Sequence, residues 1–203
     1  KWNNGDPINA DTFMFTFKQQ LDPVMMPRMS TFLASNAITI VNAEQYSMQN
    51  AEGGIATAWE DVGIKKIDDY TIQITTVDVN TADQVMNHFY NRNSVPCYEP
   101  LWNECLSSDG LTTSYGSDLD HFMGCGPYIF DTWTYDSVQT YVKNPDHWMA
   151  EYFNYDEVQY RVVPEQNARI ELWEQGQLDI FTPNGDTLET YIDDPRLVEY
   201  GSN

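Results

Sequence analysis

The residues able to do chemistry are few and scattered. Histidines stand at 88, 121 and 147 with no H-E-x-x-H or C-x-x-C companion, so the usual ligand spacing of a zinc site is missing. Asp118, Asp120 and His121 could touch a metal ion at a surface, but such a run reads more simply as a solvated loop. Asp68-Asp69, Asp193-Asp194 and Glu157 could pair as acids for hydrolysis. That chemistry needs two carboxylates held at a defined separation, and adjacent acids in turns more often only solvate the chain. No G-x-S-x-G elbow and no glycine-rich phosphate loop occurs. The three cysteines, Cys97, Cys105 and Cys125, leave at least one thiol outside any internal pairing; spacing allows a Cys97–Cys105 bridge without requiring it. The residues therefore predict neither an enzyme, nor a resident metal, nor a cofactor.

Composition narrows the remaining classes. A chain of 203 residues makes one large domain or two small lobes, and at this size it can bury roughly 70% of its unfolded surface. With 41% hydrophobic residues and 14% aromatics it folds despite a net charge of −21. Between Asp68 and Val142 eleven acidic residues face a single base, Arg92. Such a surface repels phosphate backbones and anionic lipid, which argues against nucleic-acid and membrane-surface binding and for a solvated exterior. No apolar run approaches the length of a signal peptide or a membrane span. The chain opens without Met and inside a motif, as an excised piece would.

The elements that must position any site follow from periodicity. Gly5 and Pro7 punctuate the opening, Asn9 is placed to cap a helix with Asp11 in its first turn, and Ala10, Phe13, Met14, Phe17 and Leu21 recur at helical spacing before Pro23. Phe15 lies off that stripe, which predicts burial over a wide arc. Shorter helices are predicted over 29–35 and 43–49. Period two takes over from 64 to 75 around Asp68-Asp69, a hairpin with one wet face. Ala82, Val85, Met86 and Phe89 form another helical stripe with Asn80 and Thr81 as caps. Residues 94–117 read as a loop-rich passage with one short helix over 101–106, and the lobe boundary is placed there.

Beyond Gly126 the texture is mainly β: strands over 128–133 and 138–142 with a turn at 135–137, then 158–163. A helix follows, with Pro164 in its first turn, a Glu165–Arg169 pair at i,i+4 and Gly176 as its stop. Leu178 and Ile180 predict a short buried strand, 187–192 a brief helix and 197–200 a last strand. Trp2, Trp133, Trp148 and Trp173 are expected to anchor cores.

Four local signatures then stand in order. The opening has Trp2, Gly5, Pro7, Ala10 and Phe13. Gly63, Ile64, Lys65, Asp69, Tyr70 and Thr71 follow, then Gly126, Pro127 and Tyr128, then Asn144, Pro145 and Trp148. Singly each is weak; together, over nearly the whole chain, they resemble the extracytoplasmic solute-binding proteins of the peptide/nickel family that feed ABC importers. The resemblance implies an α/β, periplasmic-binding-protein-like (type II) fragment with mixed sheets, flanking helices and two partial lobes. Residues 1–114 would form most of the smaller lobe and 115–203 part of the hinge-proximal, ligand-binding lobe. A further family segment would follow Asn203 and supply the opposite cleft wall, leaving half a binding site here and weak ligand binding by this piece alone.

By that resemblance the ligand-binding residues are Phe32, Met123, Cys125, Gly126, Tyr128, Thr182 and Asn184; Cys125 stands where relatives commonly have Asn. The implied function is capture of peptide or a related solute for a membrane ABC permease, by a monomer held outside the cytoplasm, lipid-anchored through a segment not in this chain. The alternatives are a cell-surface sensor or adhesin on the same scaffold, and a carboxylate-dependent hydrolase.

Overall fold

Asn9 begins the first helix as its side chain dictates. In the computed structural model, which describes residues 1–25, 27, 30–34, 37–90 and 92–197, helix α1 spans Ala10–Gln20. The Asn9 side chain accepts from Thr12 N at 3.2 Å while the Asn9 N–H donates to Thr12 Oγ1 at 3.3 Å, so two orphan donors of the helix start are satisfied reciprocally. Lys66 ties this end to the hairpin, with Nζ 2.7 Å from Asp11 and 3.0 Å from Asp69. The far face of α1 buries Thr16, Phe17 and Leu21, and Phe15 packs edge-on against Trp102, as a helix covered over a wide arc requires.

The chain divides into two compact units: residues 1–131 with 141–158, and 132–140 with 159–203. In the first unit α1 is followed by α2 (Ser30–Ala34), α3 (Ala43–Ser47) and the antiparallel pair β1 (Ile64–Asp68) and β2 (Thr71–Ile74), with Ile64 opposite Ile74. Met29 and Ser35, the predicted ends of the second helix, lie outside the described residues. Phe17, Leu21, Phe32, Leu33, Ile40, Val62 and Ile64 form one buried cluster. Each large apolar side chain taken out of water contributes about 1.5–3 kcal/mol relative to exposure, so this cluster holds the unit together. The expected alternation appears in β2, where Thr71 and Gln73 are exposed and Ile72 and Ile74 half-buried, whereas β1 is exposed on both faces from Lys65 to Asp68 beyond buried Ile64.

Helix α4 (Ala82–Phe89) is capped by Thr81, which trades hydrogen bonds with Gln84 at 3.3 and 2.8 Å. Helix α5 (Glu99–Cys105) starts with Pro100 in its first turn. The loop-rich passage around it does not separate units. Ser114 N donates to Cys105 O at 3.0 Å and Tyr98 N to Tyr115 Oη at 3.1 Å, closing the passage on itself, and Cys97 N donates to Thr16 Oγ1 of α1 at 2.9 Å. Strands β3 (Tyr128–Thr134), β4 (Val138–Lys143) and β5 (Glu157–Arg161) make a second sheet in that order, and the division between units runs through these strands. All three cysteines are free thiols, so Cys97 and Cys105 do not bridge.

In the second unit, α6 covers Gln166–Glu174 and α7 Gly185–Tyr191. Pro164 lies before the cap, Glu165, and not inside the first turn as expected. The Glu165–Arg169 ion pair does not form either, because the Arg169 guanidinium turns back to donate to Pro164 O at 3.4 Å. Gly176, at φ +70°, ends α6: its N–H reaches Trp173 O and that of Gln177 reaches Leu172 O, closing the helix in the left-handed turn that glycine adopts without strain. The buried strand expected at 178–180 is not there. No strand is assigned and Ile180 is 85% exposed, since period-two spacing builds a strand only where a partner covers it. Trp148 is likewise no core anchor at 84% exposure, whereas Trp2 is buried. The strand expected over 197–200 falls mostly outside the described residues.

Candidate functional site

Three of the motifs meet in the first unit around one buried side chain. Asn144, 7% exposed, donates from Nδ2 to Gly126 O at 3.1 Å and to Asn3 Oδ1 at 3.3 Å, while its Oδ1 accepts from Asp146 N at 3.1 Å. Its backbone N–H donates to Pro127 O at 2.8 Å, and Asn3 N donates to Gly124 O at 2.9 Å. The opening segment, the Gly124–Tyr128 turn and the Asn144-Pro145 turn are thus sewn together by one amide that uses both donors and its acceptor. Asn and not Asp is needed, because a carboxylate offers no donor to Gly126 O or Asn3.

This knot displays a row of half-buried residues: Met123, Cys125, Gly126 and Tyr128. Tyr128 begins β3; its hydroxyl donates to Tyr155 O at 3.0 Å and its ring meets Phe153 edge-on at 5.9 Å, so its orientation is fixed from two sides. Burial pushes the Cys125 thiol up, so at neutral pH it is a protonated, weakly polar contact surface. A side-chain Cβ at Gly124 would stand 3.1 Å from Asn3 Nδ2 and 3.2 Å from the Phe122 ring, so those side chains would have to give by a few tenths of an ångström.

Beside the knot, Tyr98 anchors the opening segment through Asp6. The Tyr98 hydroxyl donates to the Asp6 carboxylate and Asn4 Nδ2 also donates to it, which holds the Asp6 carboxyl below the usual range. Trp2 meets the Tyr98 ring edge-on at 5.2 Å. Tyr115, pushed up to about 12 chiefly by burial, lies against Cys97, whose thiol is also pushed up to about 12 by burial.

The other expected ligand residues are placed elsewhere. Phe32 is 1% exposed in the core, its ring stacked on His88 with centroids 4.3 Å apart. In this structure it packs the core and presents no surface to a ligand. Thr182 and Asn184 lie in the second unit. Thr182 lines a cavity of about 340 Å³ together with Trp173, Phe181, Tyr191 and Arg196, and Asn184 caps α7 by accepting from Thr187 N at 3.1 Å. There Arg196 lies 3.8 Å above the Trp173 ring, paired with Asp194 and Glu174, and holds the Asp194 carboxyl down at about 2. Among the described residues no group of three His, Cys, Asp or Glu side chains converges to hold a metal ion, and no helix is long and apolar enough to cross a membrane.

Residues 1–203 match the family described as bacterial extracellular solute-binding proteins, family 5 Middle. The chain belongs to this family. Among relatives of this solute-binding family, the chain is 27% identical over 179 residues to the dipeptide-binding protein DppE of Bacillus subtilis (strain 168), covering 88% of this chain and 30% of that protein. It is 23% identical over 181 residues to the oligopeptide-binding protein OppA of the same organism, with the same coverage. The structure of Listeria monocytogenes OppA bound to peptide superposes with a TM-score of 0.77 at 23% identity, over 96% of this chain and 35% of that one. That of the peptide-binding pheromone receptor PrgZ gives 0.78 at 22% identity, over 96% and 36%. The fold is therefore that of the type II periplasmic-binding-protein class, and the chain spans about a third of the length of its solved neighbours. The family is one of solute binders rather than of enzymes.

Sequence reading singled out Gly126 and Tyr128 as ligand-binding candidates but not what holds them in place. Asn144 was visible only as part of a motif, and the roles of Asn3, Tyr98 and Tyr115 carried no local signal. Their partners lie up to 141 residues away.

Proposed function

We propose that this chain is part of the substrate-capturing component of an ABC importer that takes up peptides outside the cytoplasm and delivers them to a membrane permease. The observation that carries the reading is the match of all 203 residues to the solute-binding family, whose relatives here bear dipeptide- and oligopeptide-binding names. The family's two lobes, as distinct from the two compact units of this chain, divide at 114/115. The ligand-binding residues are Met123, Cys125, Gly126 and Tyr128 in the first unit and Thr182 and Asn184 in the second. Phe32, buried in the core against His88, takes no part in ligand contact.

The chemistry suits capture rather than turnover. The turn offers backbone groups, a thiol and an oriented aromatic ring, which bind an amide chain by hydrogen bonds and apolar contact and provide no acid–base pair. Closure of two lobes on a ligand shifts a hinge equilibrium in proportion to the ligand's contacts with both walls. The assembled protein works as a monomer, without metal, cofactor or nucleic acid, and is anchored at the outer face of the membrane by lipid attached elsewhere in the polypeptide.

Isothermal titration of the full-length protein with di- to oligopeptides tests this. Micromolar binding, about −8 kcal/mol, is expected for at least one length class. Absence of binding to every peptide, with binding to a sugar or a metal chelate instead, would overturn the peptide assignment.

A further inference from the structure

Tyr98, the residue before α5, reaches the ligand-binding turn at second hand. The opening segment is closed on itself: Trp2 N donates to Asp6 O and Gly5 N to Trp2 O, both at 2.9 Å, and Asp6 N donates to Asn4 Oδ1 at 3.0 Å. Gly5 stands at φ +92°, which lets so short a loop close without strain. A loop tied this way moves as one body. One side of it holds the turn, through Asn3 N to Gly124 O and through Asn144, whose amide spans Asn3 and Gly126. The other side is held by Tyr98. The Tyr98 hydroxyl donates to Asp6 and accepts from Asn4 Nδ2 at 2.8 Å, the same nitrogen reaches Asp6 Oδ2 at 2.8 Å, and buried Trp2 lies edge-on to the Tyr98 ring. Phenol, amide and carboxylate close a triangle of charge-assisted hydrogen bonds, the strong kind. The main chain at Tyr98 is fixed independently of this side chain: its N–H donates to Tyr115 Oη at 3.1 Å, and that of Cys97 to Thr16 Oγ1 of α1 at 2.9 Å.

We infer that Tyr98 is a positioning residue for solute capture: through Asp6 and the opening loop, its hydroxyl fixes the Gly124–Tyr128 turn in the orientation that receives ligand. The inference rests on the proposed role of that turn in peptide binding and adds the residue that aims it. Without the hydroxyl, the ring contact with Trp2 alone joins the loop to Tyr98. An apolar ring contact sets a distance but leaves the loop free to turn about it, and Asn3 carries Gly124 along. The core is untouched by this loss, since Trp2, Asp6 and Tyr98 stand outside the buried cluster around Phe17 and Phe32. The effect is therefore a loosened turn and weaker capture, without a general loss of stability.

Tyr98→Phe in the full-length protein keeps the ring and deletes the hydroxyl. In the ligand-free variant the amides of Asn3 and Asn144, bonded to Gly124 O and Pro127 O, should undergo hydrogen–deuterium exchange about 3- to 10-fold faster, the weight of one hydrogen bond, while that of Thr75, bonded to Gly63 O beside the hairpin, keeps its rate. Titration with a panel of di- to oligopeptides should show Kd raised by about the same 3- to 10-fold. Asp6→Ala should raise it equally and the double variant no further, as groups in one chain of contacts require. Tyr70→Phe, at the exposed hairpin tip, should leave exchange and Kd unchanged. Unchanged exchange at Asn3 and Asn144 overturns the inference. Faster exchange that includes Thr75 also overturns it, by reducing Tyr98 to a general stabiliser, and so does local loosening with an unchanged Kd. A wild-type protein that binds no peptide of the panel overturns the peptide reading and this inference with it, a failure told apart from the others because it precedes any substitution.

Discussion

The side-chain amide of Asn144 donates to the backbone carbonyl of Gly126 at 3.1 Å, across 18 residues of chain, and the same nitrogen reaches Asn3 at the other end of the sequence. The G-P-Y turn is thereby held by a buried contact from outside itself. Replacing Asn144 by Ala strands the Gly126 carbonyl and the Asp146 N–H, which costs about 1–3 kcal/mol. Asn144→Asp keeps the acceptor for Asp146 N but presents a carboxylate to a carbonyl, so it should be no better. Chemical denaturation of the variants checks this, and a loss under 0.5 kcal/mol for Asn144→Ala (roughly the scatter of surface substitutions) counts against the knot.

Gly63 lies where three backbones converge. Its N–H donates to Val41 O at 2.8 Å and its carbonyl accepts from Thr75 N at 2.7 Å, and a Cβ there would stand 2.5 Å from Thr75 O. Backbone cannot yield as a side chain would. Gly63→Ala should therefore destabilise by about 1–3 kcal/mol, the usual scale of overpacking, while Gly185→Ala, with nothing near its Cβ, should be tolerated. Melting temperatures of the pair decide.

His88 lies flat on Phe32 and has no hydrogen-bond partner at Nε2 among the described residues. Burial lowers its pKa below the ordinary histidine value, partly opposed by a hydrogen bond with the Phe32 backbone. The folded state therefore disfavours the charged form. Stability from this group is fully present above about pH 6.5, the unfolded value, and is lost as pH falls toward the depressed folded value. Unfolding measured between pH 5 and pH 8 (about 1.5 units either side of the unfolded value) should lose part of that slope in His88→Phe. An unchanged slope would contradict it.

The Cys97 thiol, pushed up to about 12 by burial, should resist alkylation. At pH 8 its thiolate fraction is on the order of 1,000-fold below that of an ordinary cysteine, and alkylation rates should scale with it. Iodoacetamide labelling followed by mass spectrometry, native against denatured, checks this. Cys97 reacting as fast in the folded protein as in denaturant would mean that the thiol is open to water.

Local order was legible from sequence wherever a side chain acts on its own backbone. Asn9 and Thr81 start their helices by accepting from N–H groups three residues on, and Gly176 stops α6 because only glycine adopts that φ freely. The candidate site was legible as a turn, since Gly126, Pro127 and Tyr128 fall in register with the family motifs. Its support was not: Asn144, Asn3, Tyr98 and Asp6 bond across 18 to 141 residues, and no period or cap reports such a distance. The expected Glu165–Arg169 pair failed for the converse reason. Spacing permits an ion pair, but an exposed one gains little and yields to a nearby carbonyl.

By itself the sequence determined the class of the molecule, its acidic solvated exterior, most element boundaries and its family, because these rest on interactions within a few residues or on motifs in fixed order. Tertiary structure alone decided which apolar residues are covered. Phe32 is buried while Trp148 and Ile180 are bare, although all three have core-forming side chains. Burial depends on whether another part of the chain arrives to exclude water, and that is a property of packing rather than of the residue.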